Sequence, residues 1–154
     1  VRDARGYRQE TVAMKFRALV ALFLLGVGVA VAVPPTTGGS KPLKWHSFEE
    51  GMARAKAEGK IVFVHFWADW CGHCHTMDRE TFRHQSVVDL LERNFIAVKV
   101  DSDREPELSR LFRIRGLPDN WFFSKSGSVI GHRPGFIPAD TFVKILRSVS
   151  EDRP

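Results

Sequence analysis

A chain of 154 residues, 44% hydrophobic and 27% charged, has the bulk for one folded domain and lies outside disordered and fibrous compositions. Its formal charge of +5 gathers at the start: residues 1–32 hold Arg2, Arg5, Arg8, Lys15 and Arg17 against Asp3 and Glu10. The remainder, with 18 basic and 16 acidic residues, makes no electrostatic case for nucleic-acid binding.

Residues 1–13 precede Met14 and are expected to be a non-native or over-extended N-terminus. Residues 14–32 read as a signal peptide. Met14-Lys15-Phe16-Arg17 is a basic start, the stretch from Ala18 to Val33 is apolar, and Ala30-Val31-Ala32 supplies a small-x-small cleavage pattern. The run is short for a membrane span of about 20 residues; an uncleaved anchor is the alternative. A periplasmic or otherwise exported location is expected, with membrane contact only if the segment stays attached. Residues 33–42, including Thr36-Thr37-Gly38-Gly39-Ser40, are a linker, and 43–150 are the folded domain.

Within the domain, Ser47 followed by Glu50 is a capping-box pattern, and Gly59 is a natural helix stop. The run from Ile61 to Trp67 is too continuously apolar for a surface strand and predicts a buried central one. Helical patterns cover Cys71 to Thr81 and Ser86 to Arg93, before a second buried strand from Phe95 to Val100. Pro106 opens a short helix ending near Phe112. A strand at Trp121 to Phe123, a Lys125-Ser126-Gly127-Ser128 turn and a return strand from Val129 to His132 make a hairpin. The last amphipathic helix runs from Ala139 to Ser150. Strands that first alternate with helices and then form a hairpin predict an α/β domain with a mixed sheet.

The two cysteines, Cys71 and Cys74, stand three apart. A bond between them closes too small a loop to staple the chain, which leaves redox or metal chemistry. A buried strand runs into the pair and a helix runs out. A thiol at a helix N-terminus meets unpaired N–H groups and the positive end of the dipole, which favour the thiolate. The i, i+3 spacing puts the second thiol on the same helical face. Cys71 is expected to be the exposed attacker and Cys74, one turn deeper, the resolving thiol.

The segment Phe66-Trp67-Ala68-Asp69-Trp70-Cys71-Gly72-His73-Cys74-His75 therefore resembles the redox motif of the thioredoxin superfamily. Val98-Lys99-Val100-Asp101, Ile114-Arg115-Gly116-Leu117-Pro118 and Gly135 follow in the family's order. The motif's flanks and Glu80-Thr81-Phe82 look most like the C-terminal domain of DsbD-type reductases, whereas Cys-Gly-His-Cys is the filling used by protein disulfide isomerases.

The resemblance implies a thioredoxin-like fold, helices on both faces of a mixed central sheet, and dithiol–disulfide exchange with protein or peptide thiols and disulfides. A redox partner would recycle the pair. No cofactor is needed, because the pair itself carries two electrons. The resemblance also implies that Pro118 is a cis-proline at the site, that Leu117 offers backbone hydrogen bonds to substrate, and that Trp70 flanks the nucleophile. His73, between the cysteines, is expected to stabilise the Cys71 thiolate.

Two positions depart from the family. His65 stands where a buried acid is common beneath the second cysteine; it reads either as a carrier of the Cys74 proton or as a histidine merely accommodated there. Asp119 follows the proline where Thr is common, and an acid beside the pair would oppose thiolate formation. Two other readings of the motif stay open. Cys71-Gly72-His73-Cys74-His75 also spells a c-type haem attachment with His75 as ligand, and the same side chains offer a partial zinc or copper site in a noncatalytic module. His46, His84 and His132 read as surface or boundary residues. Asp101-Ser102-Asp103 reads as the end of a strand and the cap of the next helix.

Overall fold

The computed structural model describes residues 42–151. The expected N-terminal extension, the signal peptide or anchor, and the linker up to residue 41 lie outside the described residues. Among those described, no helix is long and apolar enough to cross a membrane.

The chain forms α1 (Phe48–Glu58), β1 (Ile61–Trp67), α2 (Gly72–Thr76) with a π-helical turn (Met77–Thr81), and α3 (Gln85–Asn94). It continues through β2 (Phe95–Asp101), α4 (Pro106–Leu111), β3 (Asp119–Phe123), β4 (Val129–Pro134) and α5 (Ala139–Glu151). The sheet order is β2-β1-β3-β4. β1 is central, parallel to β2 and antiparallel to β3. The predicted mixed α/β architecture is present.

Alternation along β1 explains why both faces are covered. Ile61 and Phe63 project to one side, where they pack with Met77 of the π turn, Phe82 just after it, Val87 and Leu91 of α3, and Phe142 and Leu146 of α5. Val62, Val64 and Phe66 project to the other, against Ala55 of α1 and the half-buried Phe48, Leu108 and Phe112 of α1 and α4. A Cβ on Gly51 would collide with Val98 Cγ2, so this glycine lets α1 lie close on β2.

Ser47 caps α1, its hydroxyl accepting from the Glu50 N–H at 3.3 Å. Gly59 ends the helix in the left-handed region at φ 65°. The Glu50 carboxylate does not complete the capping box; it accepts from His46 Nδ1 at 2.7 Å. His46 is buried, because its backbone pairs with β2: its N–H donates to Ala97 and its carbonyl accepts from Lys99. The boundary reading is corrected there, whereas His84 and His132 are exposed.

The helix expected to reach Thr81 does so, but it widens at the end, with Phe82 N–H bonding the Met77 carbonyl five residues back. β3 starts two residues earlier than predicted, at Asp119. Asp and Asn are poor strand formers, yet each has a histidine partner, described below, that holds it in the sheet.

Candidate active site

The strand β1 ends at Trp67, and the chain turns through Ala68, whose carbonyl accepts the Cys71 N–H at 3.0 Å. Cys71 is the N-cap of α2, and its Sγ accepts the Cys74 N–H at 3.1 Å. A sulfur thus occupies the capping position usually taken by a Ser or Asp oxygen, facing the orphan donors of the first turn. Cys71 and Cys74 are joined in a disulfide, with Cα atoms 5.3 Å apart. Cys71 is the more accessible sulfur but only 5% exposed, so the expected exposed attacker is largely covered in this oxidised state; Cys74 is fully buried.

Two hydrogen bonds hold the surrounding loops. Trp70 is 70% exposed, yet its indole Nε1 donates to Asp103 Oδ2 at 2.9 Å, which pins the ring beside the disulfide loop. His75 Nε2 donates to the Asp69 carbonyl at 2.7 Å, tying the first turn of α2 to the loop before Cys71. His73 is exposed, with its ring 6.4 Å from that of Phe136 in the segment after β4.

The haem reading would require His75 as the iron ligand and two cysteines free for attachment. Here the imidazole holds a loop and the cysteines are bonded to each other. Among the described residues, no three His, Cys, Asp or Glu side chains converge where a metal ion would sit.

The Leu117–Pro118 peptide is cis. Pro118 is buried, and its carbonyl accepts the Gly135 N–H at 2.7 Å. The register Phe66↔Asp119 sets Pro118 level with Trp67, at the end of the sheet from which the cysteine loop emerges. Leu117 is half-buried and lies ahead of the β3–β4 ladder, which begins at Asp119.

Beneath α2 lies a polar patch. His65 is fully buried on the α2 face of β1, its ring 4.9 Å from that of Phe82. Its Nδ1 is 2.9 Å from Asn120 Oδ1, and its Nε2 has no partner. Burial lowers its pKa from 6.5 to about 4, the Asn120 bond opposes this, Lys99 adds to the lowering and Asp78 opposes it. His65 is therefore neutral near pH 7, a state that both readings of this histidine share. Lys99, beside it on β2, bonds both Asp78 oxygens at 2.8 Å and lies over the Trp67 ring at 4.4 Å. Asp119, expected beside the pair, turns to the opposite face, where Oδ1 accepts from His132 Nδ1 at 3.0 Å. The His132 ring stacks on Trp121 at 4.4 Å.

Sequence reasoning did not single out Asn120, Lys99, Asp78 or Phe136, nor Asp103 as the partner of Trp70. Lys99 carried a signal: a charge inside the apolar run Ile96-Ala97-Val98-Lys99-Val100 demands a buried partner. Asp101 ends β2 as expected, but the segment does not cap the next helix: Asp101 Oδ1 accepts the N–H groups of Asp103 and Arg104 in the turn, and α4 starts after Glu105 with no side-chain cap.

Residues 48–150 match the family described as the thioredoxin-like domain. The chain is 34% identical over 108 residues to thiol:disulfide interchange protein DsbD of Pseudoalteromonas atlantica, covering 66% of this chain and 18% of that protein. It is 38% identical over 93 residues to the chloroplastic thioredoxin-like protein CITRX of Oryza sativa, 59% of this chain and 48% of that one. Among solved structures, a thioredoxin from Thermus thermophilus superposes with a TM-score of 0.65 at 32% identity, covering 71% of this chain and 88% of that one. The chain thus spans less than half the length of these two curated relatives.

Proposed function

Because the chain belongs to the thioredoxin-like domain family, we propose that it is an exported oxidoreductase exchanging its Cys71–Cys74 dithiol and disulfide with protein or peptide substrates. The observation that carries this reading is a disulfide whose outer sulfur caps a helix and accepts the Cys74 N–H. The same donors would stabilise a Cys71 thiolate once the bond is reduced.

In the reducing direction, the Cys71 thiolate attacks a substrate sulfur and the substrate disulfide breaks. One substrate sulfur leaves as a thiolate and takes a proton. Cys74 then loses its proton and attacks the Cys71 sulfur, releasing the second substrate thiol. Two electrons pass from the dithiol to the substrate, and the reverse sequence oxidises a dithiol. Each turnover leaves the pair in its other state, so a second thiol or disulfide partner must reset it.

Leu117, ahead of the β3 ladder, would offer its backbone to an extended substrate, with Pro118 and the pinned Trp70 shaping the surface around Cys71. His73, exposed one turn into α2, would favour the Cys71 thiolate by charge or hydrogen bonding. The resemblance to DsbD supports an exported reductive role, and the residue pattern at Met14–Ala32 supports export.

Reduction of insulin disulfides tests the reading. The native chain accelerates it, Cys71→Ser brings the rate to background, and Cys74→Ser accumulates a mixed disulfide. A Cys71→Ser chain that still reduces insulin would refute it. Equilibration with glutathione buffers then assigns the direction, since potentials run from about −270 mV for reducing to about −120 mV for oxidising members of this chemistry.

A further inference from the structure

The buried pair under α2 can be read at the level of single protons. Asn120 Nδ2 lies 3.1 Å from the Arg133 carbonyl and 3.3 Å from the Gly135 carbonyl. Only the NH₂ end of the amide can donate to two carbonyls, so the oxygen is the end turned to His65. An oxygen acceptor 2.9 Å from Nδ1 calls for a hydrogen on Nδ1. In a neutral ring, Nε2 is then left with a bare lone pair, and that atom is buried without a partner.

We propose that Asn120 is a positioning residue for the exchange reaction: it holds His65 as the Nδ1–H tautomer, so that Nε2 accepts the Cys74 proton in the resolving step. This rests on the oxidoreductase reading above and names the group that moves its proton. The Cys74 S–H bond breaks and an N–H bond forms at Nε2. The Cys74 sulfur bonds the Cys71 sulfur, the bond from Cys71 to substrate breaks, and the departing thiolate takes the proton back from Nε2. The ring ends neutral and the electron count is unchanged.

The placement suits this role. Cys74 and Met77 are both fully buried on α2 and its π turn, one turn or about 4.5 Å apart along the axis. Met77 Sδ lies 4.0 Å from Asn120 Nδ2, so the His65–Asn120 pair sits under that turn; a proton can pass between positioned groups directly or through one water molecule. The charged groups acting on the ring are Lys99 of β2, which disfavours the imidazolium, and Asp78 of the π turn, which favours it. Burial keeps the ring neutral near pH 7, which leaves Nε2 unprotonated before the exchange step.

Nitrogen NMR of the His65 ring in the full chain at pH 7 is the first test and needs no variant. Hydrogen on Nδ1 is expected; hydrogen on Nε2 overturns the proposal. The second test follows release of a peptide thiol from its mixed disulfide with Cys71, in His65→Leu, Asn120→Leu and the double variant. Each single change is expected to slow release on the order of 10²-fold and to alter its pH profile, with the double variant no slower than either. Losses that multiply would mean that Asn120 acts independently of His65, against the proposal. A His65→Leu chain with an unchanged rate and pH profile also overturns it. In either case the oxidoreductase reading stands if insulin reduction still requires Cys71.

Discussion

The two faces of the sheet are built to different rules. On the side of α1 and α4, the strands contribute Val62, Val64, Phe66, Ile96, Val98, Val100 and Phe123 to an apolar core. Asp119 is the polar exception, at the end of β3 and paired with the exposed His132. On the side of α2, each of the three strands nearest the cysteines places one polar residue among the aromatics: His65 on β1, Lys99 on β2 and Asn120 on β3. Burying such groups costs free energy unless they find partners. Here they bond one another, Asp78 and the carbonyls of Arg133 and Gly135. Both faces carry an apolar core, and the α2 side in addition accommodates polar groups beside the disulfide.

The strongest way to break this contrast is to damage the apolar face. Phe123 is 2% exposed and packs against Phe48, Phe112 and Trp121. Phe123→Ala is expected to cost about 3–5 kcal/mol in urea denaturation while leaving the pH profile of disulfide exchange unchanged. A shifted profile would show that the faces are coupled.

The polar face should reveal itself through pH. His65 titrates at about 4 in the fold against 6.5 for an ordinary histidine. As pH falls from 6.5 towards 4, the unfolded chain binds a proton that the folded chain refuses, so stability is full above this window and is lost on acidification through it. The loss from this group approaches 3 kcal/mol, on the order set by about 1.4 kcal/mol per pH unit. His65→Leu should flatten that slope in denaturation curves measured from pH 7 to pH 4, and a slope that persists would assign it to other groups.

The smallest effect concerns the rim. Asp103→Ala frees the exposed Trp70 ring and should change stability by less than about 0.5 kcal/mol. It should raise KM for a peptide disulfide with little change in kcat. An unchanged KM would separate Trp70 from substrate binding.

Much of this site is local in sequence and was legible there. The helix cap, the i, i+3 cysteines and the preceding apolar strand are all neighbours, and Gly116-Leu117-Pro118 has a strong local signature. What stayed hidden is pairwise and distant. Asn120 meets His65 across 55 positions, and no periodicity reports such a contact. Trp70 and Asp103 stand 33 apart. Adjacent Asp119 and Asn120 are both poor strand formers, yet alternation in β3 sends them to opposite faces and to different histidines. His46 was misread because its burial comes from backbone pairing with β2 beyond any apolar run of its own.

That Cys71 is both a redox sulfur and the cap of α2 has a consequence for the helix itself. Capping strength becomes a function of oxidation state. A disulfide sulfur is a weak acceptor for the Cys74 N–H, whereas a thiolate at the same position would be a charge-assisted one. The first turn of α2 should therefore tighten when electrons arrive, and the Cys74 amide should exchange with deuterated solvent more slowly in the reduced chain.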